Sequence, residues 1–183
     1  MNNLREPLLN KLNEQFSSAI ESVNDFRDET TIIIKKDFLI SVCTFLRDDN
    51  ELAFDSLRDV TAVDYSGFLQ NPIPHDHDIH VPEKIQQQFD TRFQVVYNLY
   101  SMKNHFRIRL KVKLEEDETI PTVSSIWKSA NWAERETYDM FGIKFEGHPD
   151  LRRMYMPEEF EFHPLRKEFP LMGIPGSLPL PKH

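Results

Sequence analysis

The stretch FQVVYNLYSMKNHFRIRLKVKL, residues 93–114, alternates apolar and polar side chains in two runs. Alternation with a period of two is typical of strands that bury one face and expose the other. Asn104 lies between the runs, where the chain has to turn. The stretch therefore predicts an antiparallel hairpin of residues 93–102 and 106–114, and this hairpin places an antiparallel sheet at the centre of the fold.

The segments around the hairpin carry further strand and helix patterns. Apolar residues at helical spacing predict a helix over residues 5–17 and a second helix that begins after Asp37 as its N-cap. β-Branched and apolar runs predict strands at residues 19–26, 30–35 and 53–65. A longer helix is expected from Pro121 and Thr122 through Phe141, with Gly142 as its C-terminal stop.

This order of elements predicts an α+β fold, with a mostly antiparallel sheet and helices packed on one face. Regular periodicity stops after Gly142, and the chain that follows is punctuated by proline. The predicted organisation is a globular domain at residues 1–142 and a long, extended, Pro-rich docking tail at residues 143–183. The chain has 12 prolines against 5 glycines, which favours stiff extended segments over flexible linkers.

Charge and cysteine content exclude several classes of function. The formal net charge is −8 and no basic run balances the acidic residues 115–118, so nucleic acid is not an expected partner. Cys43 is the single cysteine, which excludes an internal disulfide and a four-cysteine iron–sulfur cluster. We expect Cys43 to pack in the second helix. No apolar run reaches the ~18–20 residues that span a bilayer.

The loop HDHDIH, residues 75–80, is a candidate metal site. Its three histidines and two aspartates offer nitrogen and oxygen ligands that suit zinc or nickel. Prolines flank the loop, however, and no helical spacing holds two imidazoles on one face. A solvated loop insertion is the favoured interpretation, and a stand-alone metalloenzyme that uses this loop is the alternative.

The predicted long helix carries charged residues between aromatic ones. Glu134, Arg135 and Glu136 precede Asp139, and paired carboxylates could act as general acid and base. The simpler interpretation is an Arg135–Asp139 pair on a solvated helix face. The same helix carries four aromatic residues, Trp127, Trp132, Tyr138 and Phe141. Aromatic side chains with charges between them favour the centre of a protein interface.

Two similar motifs follow the helix, FEGHPDLRR at residues 145–153 and FEFHPLRK at residues 160–167. Their histidines could bind a metal or transfer protons, but the proline after each favours extended backbone. Equal numbers of basic and acidic side chains with spaced aromatics suit pairing with another protein. The candidate docking residues in this strip are His148, Asp150, Arg152, Arg153, His163, Arg166 and Lys167.

The segments NWAERETYDMFGIKFEGHPDLRRMYM and FHPLRKEFPLMG together resemble one protein family. It is the C subunit, or thirty-kilodalton subunit, of NADH–quinone oxidoreductase, the bacterial respiratory complex I. The family signature is matched by Glu134, Arg135, Glu136, Asp139, Met140, Phe141, His148 and Arg152. The strong resemblance covers residues 131–173, and VTAVDY with the hairpin order extends it over most of the chain.

The resemblance implies a non-catalytic structural subunit of the peripheral arm of a proton-translocating complex. The chain itself is expected to hold no cofactor, while FMN, iron–sulfur clusters and quinone belong to partner subunits. The implied main partner is the D subunit, with the cluster-carrying B and I subunits nearby. Membrane association is implied only through the complex, on the cytoplasmic side of the bacterial inner membrane. Glu134, Arg135, Glu136 and Asp139 would join the strip residues in docking.

Overall fold

The computed structural model describes residues 4–67 and 90–170, and seven strands and three helices form its framework. The elements in chain order are α1 (Arg5–Phe16), β1 (Ile20–Phe26), β2 (Glu29–Ile34), α2 (Leu39–Asp48), β3 (Ser56–Asp64), β4 (Phe93–Ser101), β5 (Phe106–Leu114), β6 (Thr119–Pro121), α3 (Ala130–Phe141) and β7 (Lys144–Glu146). The predicted loop at residues 75–80 lies outside the described residues.

Five strands form one sheet in the order β1-β2-β5-β4-β3. The β2–β5 pair is parallel and the other pairs are antiparallel, so the sheet is mixed but mostly antiparallel. The hairpin is confirmed, with Tyr97 opposite Leu110 in the β4–β5 register. Its turn is tied down because the Asn104 side chain donates to the carbonyl oxygens of Glu51 and Leu52.

The inner face of the sheet and the three helices share one hydrophobic core. Val95, Tyr97 and Leu110 are fully buried in it. They pack in one cluster with Leu12 of α1, Val42 and Cys43 of α2, and Ala130 and Met140 of α3. The α+β class is confirmed, and so is the packing role of Cys43. Among the helices of the described residues, none has the length and apolar character that a membrane span requires.

The prediction of one long helix from Pro121 was wrong. Pro121 ends β6, which pairs in parallel with β7 to form a second, two-stranded sheet. Residues 122–129 form turns, and α3 begins at Ala130. The turn segment TVSSIWKS is rich in β-branched residues and serines, which disfavour helix, whereas alanine is the strongest helix former. Regular secondary structure also continues after Gly142, because strand β7 follows at Lys144–Glu146.

The predicted N-cap role of Asp37 was also wrong. Asp37 lies inside a short 3₁₀ turn, Lys36–Phe38, and Phe38 occupies the N-cap position of α2 with no side-chain cap. The end of α3 is as predicted, because Gly142 has a left-handed φ of 78° and its N–H bonds to the Tyr138 carbonyl oxygen at 2.8 Å.

Candidate functional site

Three polar side chains of α3 are buried instead of solvated. Glu134, Thr137 and Asp139 are each at most 1% exposed. Thr137 donates to the Val60 carbonyl oxygen of β3 at 2.9 Å, which anchors the helix to the sheet. Buried polar groups are costly unless they are hydrogen-bonded. The partners of Glu134 and Asp139 therefore define what this region does.

Asp139 holds the start of the segment that follows β7. Its Oδ2 accepts three backbone N–H bonds, from Met154 at 2.9 Å, Tyr155 at 2.7 Å and Met156 at 3.0 Å. Its Oδ1 pairs with Arg153 Nη1 at 2.7 Å. Burial alone would raise the pKa of Asp139, but these hydrogen bonds outweigh it and hold the pKa below its ordinary value.

The predicted Arg135–Asp139 pair on a solvated face is therefore wrong. Arg135 turns away from Asp139 and donates to the carbonyl oxygens of Arg152 at 3.1 Å and Arg153 at 3.3 Å. The i, i+4 spacing permits the pair, but the returning chain offers both side chains partners with better geometry.

The second His-Pro motif caps the C-terminal end of α3. His163 Nδ1 donates to the Asp139 carbonyl oxygen at 2.9 Å, and Arg166 Nε donates to that of Phe141 at 2.6 Å. The N–H of Leu165 bonds to the Met140 carbonyl oxygen at 3.1 Å. The last carbonyl groups of a helix lack partners within the helix, and cations are favoured at this end. Burial, followed by the Arg166 and Arg153 charges, lowers the pKa of His163.

The first His-Pro motif binds near the start of the same helix. The N–H of Asp150 bonds to His148 Nδ1 at 3.1 Å, so the ring's Nε2 carries the proton and donates to the Asn131 carbonyl oxygen at 3.0 Å. His148 Nε2 also lies 3.9 Å from Glu134 Oε2, and both side chains are fully buried. The repeat thus has a structural reason, because the two histidines fasten the chain to opposite ends of α3.

Glu134 joins α3 to the turn that precedes it. Its Oε1 accepts the Val123 N–H at 2.7 Å and its Oε2 bonds to the Thr122 hydroxyl. Burial raises the pKa of Glu134 to about 7, against these two hydrogen bonds, which lower it. The neighbouring Tyr97 hydroxyl and Cys43 thiol, both buried, have raised pKa values, first because of burial and then because of the Glu134 charge.

A matched pair of glycines tests the contact at the end of α3. Gly142 and Gly147 both have φ of 78°, so alanine would be strained at either position. A methyl group at Gly142 would also lie 2.5 Å from His163 Nε2, whereas at Gly147 its nearest neighbour is Thr122 Cγ2 at 3.5 Å.

We expect Gly147→Ala to lower the free energy of unfolding by about 1 kcal/mol, the backbone cost alone. Gly142→Ala should lower it by about 2–3 kcal/mol, because His163 must also be displaced. Urea unfolding of both variants measures the difference. Equal losses would mean that the helix end and the second motif are not in close contact.

The family of the chain follows from its sequence relatives. A family model described as "Respiratory-chain NADH dehydrogenase, 30 Kd subunit" matches residues 32–175, most of the chain. The chain belongs to this family. The predicted resemblance is thereby confirmed, and it extends well beyond residues 131–173.

Relatives of this 30 kDa subunit family match over most of their length. The C subunit of NADH-quinone oxidoreductase from Geotalea uraniireducens is 44% identical over 164 residues, which are 89% of this chain and 86% of the relative. The C subunit of the same enzyme from Coxiella burnetii is 42% identical over 180 residues, covering 92% and 79%. A solved chain of an archaeal membrane-bound sulfane sulfur reductase, a respiratory membrane complex, has TM-score 0.69 at 20% identity, covering 92% and 86%. At that identity the likeness shows the fold alone.

The eleven residues predicted to dock with partner subunits divide into two groups. Seven have their side chains engaged within the chain: Glu134, Arg135, Asp139, His148, Arg153, His163 and Arg166. The other four side chains face outward: Glu136 and Lys167 are exposed, and Asp150 and Arg152 form a largely exposed pair at 2.6 Å. Across the described chain, no group of three or more metal-ligating side chains is assembled.

Sequence reasoning missed a second anchor, at Arg92. Arg92 Nη2 binds Glu168 at 2.6 Å and lies 3.5 Å from the buried Asp64, and its Nη1 pairs with Glu116. Asp64 also accepts the Lys167 N–H at 3.0 Å. Burial would raise the pKa of Asp64, but the N–H bonds of Lys167 and Ser66, with the charge of Arg92, lower it. In the sequence, the signal for this anchor was Asp64, an acidic residue near the end of the strand predicted at residues 53–65.

Several exposed apolar side chains belong to α3 or to the chain after β7, which is the part of the molecule that these contacts hold together. Among the described residues, seven large hydrophobic side chains are exposed, and four of them belong to α3 or to the chain after β7: Trp132 at 62%, Tyr155 at 58%, Phe162 at 48% and Leu165 at 52%. Arg135 lies over the Trp132 ring, and the Phe160, Phe162 and Phe169 rings pack together. We call Trp132, Tyr155, Phe162 and Leu165, three of which are aromatic, the aromatic patch. Large exposed apolar side chains concentrated in one part of a chain are candidates for an interaction surface.

Proposed function

We propose that this chain is a structural, non-catalytic subunit of the peripheral arm of an NADH–quinone oxidoreductase. In this proposal NADH is oxidised, electrons pass through FMN and iron–sulfur clusters held by other subunits, and quinone is reduced while protons are translocated. The chain would lie on the cytoplasmic side of the bacterial inner membrane and associate with it through the complex. Its close relatives are named as the C subunit of NADH-quinone oxidoreductase, which supports this assignment.

One observation carries the non-catalytic role. Among the described residues of the predicted site, Glu134, Asp139, His148 and His163 carry groups that could do acid–base chemistry, and all four bind backbone or side-chain groups of this same chain. A general acid or base has to reach a substrate proton. Side chains whose bonds join α3 to the segments around it instead support a role in building a surface.

We propose that the surface so built docks the chain to its partners. The aromatic patch, with Glu136, Arg152 and Lys167 beside it, would form the contact, and residues 143–183 would act as the docking segment. Aromatic and arginine side chains are enriched where binding energy is concentrated. The D subunit is the proposed main partner, with the B and I subunits nearby. The engaged residues would act indirectly, since they hold the patch in place.

Removal of two rings tests the docking surface. In cells that lack their own copy, a Trp132→Ala, Tyr155→Ala chain should fold normally, with a melting temperature close to that of the unsubstituted chain. Its incorporation into the complex should fall by at least about thirtyfold, because the loss of a single buried aromatic anchor already costs ~2 kcal/mol or more. Native gels and co-purification measure incorporation.

The matched control is Phe26→Ala, which removes a ring that is 70% exposed at the end of β1. It should assemble normally. NADH–quinone reductase activity per assembled complex should be unchanged in every variant, since these side chains would do no chemistry. Full incorporation of the double variant would refute docking through the patch, and assembled complex without turnover would refute the non-catalytic role.

A further inference from the structure

The outer face of the five-stranded sheet, opposite the helices, carries a groove of about 390 Å³. Strand alternation builds it, because Ile108 and Leu110 are buried in the core while Arg107 and Arg109 lie on the other side. The β4–β5 register places Tyr100 and Asn98 opposite these arginines. Arg58 reaches the groove from a register shift in β3, and Glu29 from β2.

The groove has more positive than negative charge. Among the described residues that line it, Glu29 is the one carboxylate, and it bonds to Arg109 at 2.7 Å and to Arg107 at 3.4 Å. Arg58 has no carboxylate within 4 Å in the part of the chain that the structure describes. It lies over the Tyr100 ring at 4.7 Å instead, and donates to Met102 Sδ at 3.4 Å. These three guanidinium groups and one carboxylate give a local excess of positive charge, although the net charge of the chain is −8.

The positive face continues along β5 to Lys111. This ammonium group is partly buried and bonds to Gln94 Oε1 at 3.2 Å, with no carboxylate partner in residues 4–67 and 90–170. Burial first, and then the Arg109 charge, lower the pKa of Lys111. A carboxylate brought to this face would be attracted both by the arginines of the groove and by Lys111 beside them.

The geometry of the groove indicates the kind of anion that it fits. Alternate residues on one face of a strand lie about 7 Å apart, which is also the spacing of alternate side chains in an extended peptide. A guanidinium group binds a carboxylate through two parallel hydrogen bonds. We infer that the groove binds an extended acidic segment of a neighbouring polypeptide, with carboxylates at alternate positions seated on Arg107 and Arg109, which alternate along β5, and a further carboxylate on Arg58 of β3.

The net charge of the chain separates this ligand from larger polyanions. A molecule of net charge −8 repels nucleic acid and anionic membrane surfaces at long range. A short acidic segment carries few charges outside the groove, and its association with a folded partner would supply the rest of the binding energy. This site is separate from the aromatic patch, and it can be tested without the complex.

The probe is a labelled decapeptide of alternating glutamate and serine, titrated into the isolated full chain and followed by fluorescence anisotropy. We expect saturable binding that weakens with salt. Arg58→Gln with Arg107→Gln should weaken it by about tenfold or more, since two charge-assisted contacts are lost. The Arg109–Glu29 pair remains intact in this variant, and circular dichroism checks its fold.

The matched control is Lys35→Gln with Lys128→Gln, which removes the same charge from two exposed lysines elsewhere and should change the affinity less than twofold. Arg58→Gln alone should give an intermediate loss, and decides the outcome if the double variant fails to fold. Equal binding by the groove variants would overturn the inference. So would comparable, groove-dependent binding of phosphatidylserine vesicles or a single-stranded oligonucleotide, because the groove would then be a general polyanion site.

Discussion

Asp139→Ala should lower the free energy of unfolding by about 3–5 kcal/mol, the range for one partner removed from a buried charge pair. The substitution leaves Arg153, whose side chain is 11% exposed, without its carboxylate. It also removes the acceptor of three backbone N–H groups, from Met154, Tyr155 and Met156. Each of these partly buried donors that loses its partner adds a further penalty. Denaturant unfolding followed by circular dichroism measures the loss.

The site where a protease cuts first distinguishes a loss of the Asp139 contacts from general destabilisation of the fold. Because Asp139 orders the chain after β7, residues 151–170 should become the first protease-sensitive part of the described chain in the variant. Asp139→Asn, which retains one oxygen acceptor but not the charge, should lose less. The control Glu136→Ala changes an exposed acid on the same helix and should shift the free energy of unfolding by no more than about 0.5 kcal/mol. Unchanged stability in Asp139→Ala would show that residues 153–156 are held by something else.

Glu134→Gln should make the chain more stable at pH 8 by about 3 kcal/mol and leave it nearly unchanged at pH 4.5. Burial raises the pKa of Glu134 from 4.5 to about 7, so the folded chain binds a proton that the unfolded chain has released. This contribution to stability is complete below about pH 4.5 and is lost as the pH rises through about 7. Glutamine is neutral throughout, and its amide can still serve Thr122 and the Val123 N–H.

Urea unfolding of both chains at several pH values between 4.5 and 8 tests this. The quantity to follow is the difference between the two chains, because groups with lowered pKa values, such as Asp139 and Asp64, act with the opposite sign and cancel in it. The groups that face Glu134 are the Thr122 hydroxyl, the Val123 N–H, His148, Tyr97 and Cys43. Glu136→Gln, which replaces an exposed acid on the same helix, is the control. A flat difference for Glu134→Gln would mean that Glu134 has the same pKa in the folded and the unfolded chain.

Local patterns in the sequence were enough to determine the sheet hairpin and the end of α3. Residues 93–102 and 106–114 were predicted as strands, and the structure has Phe93–Ser101 and Phe106–Leu114. Alternation reports directly which face of a strand is buried, so it needs no knowledge of distant residues. Gly142 was likewise readable, because a left-handed helix end demands glycine whatever packs around it. The ordered Glu-Arg-Glu to His-Pro-basic pattern was sufficient to recognise the family.

The tertiary structure alone decided where the side chains of that pattern go. Local sequence does not distinguish four of these side chains from solvated residues of a helix or of the His-Pro strip: Glu134, Asp139, His148 and His163. Their partners lie between 11 and 24 residues away in the chain: the Val123 N–H, the N–H groups of residues 154–156, and the carbonyl oxygens of Asn131 and Asp139. A charged side chain takes the partner that burial and geometry bring to it, and a returning chain outcompetes an i, i+4 neighbour exposed to water. Sequence spacing cannot report such a return, because it depends on how β7 and the two His-Pro motifs fold back around α3.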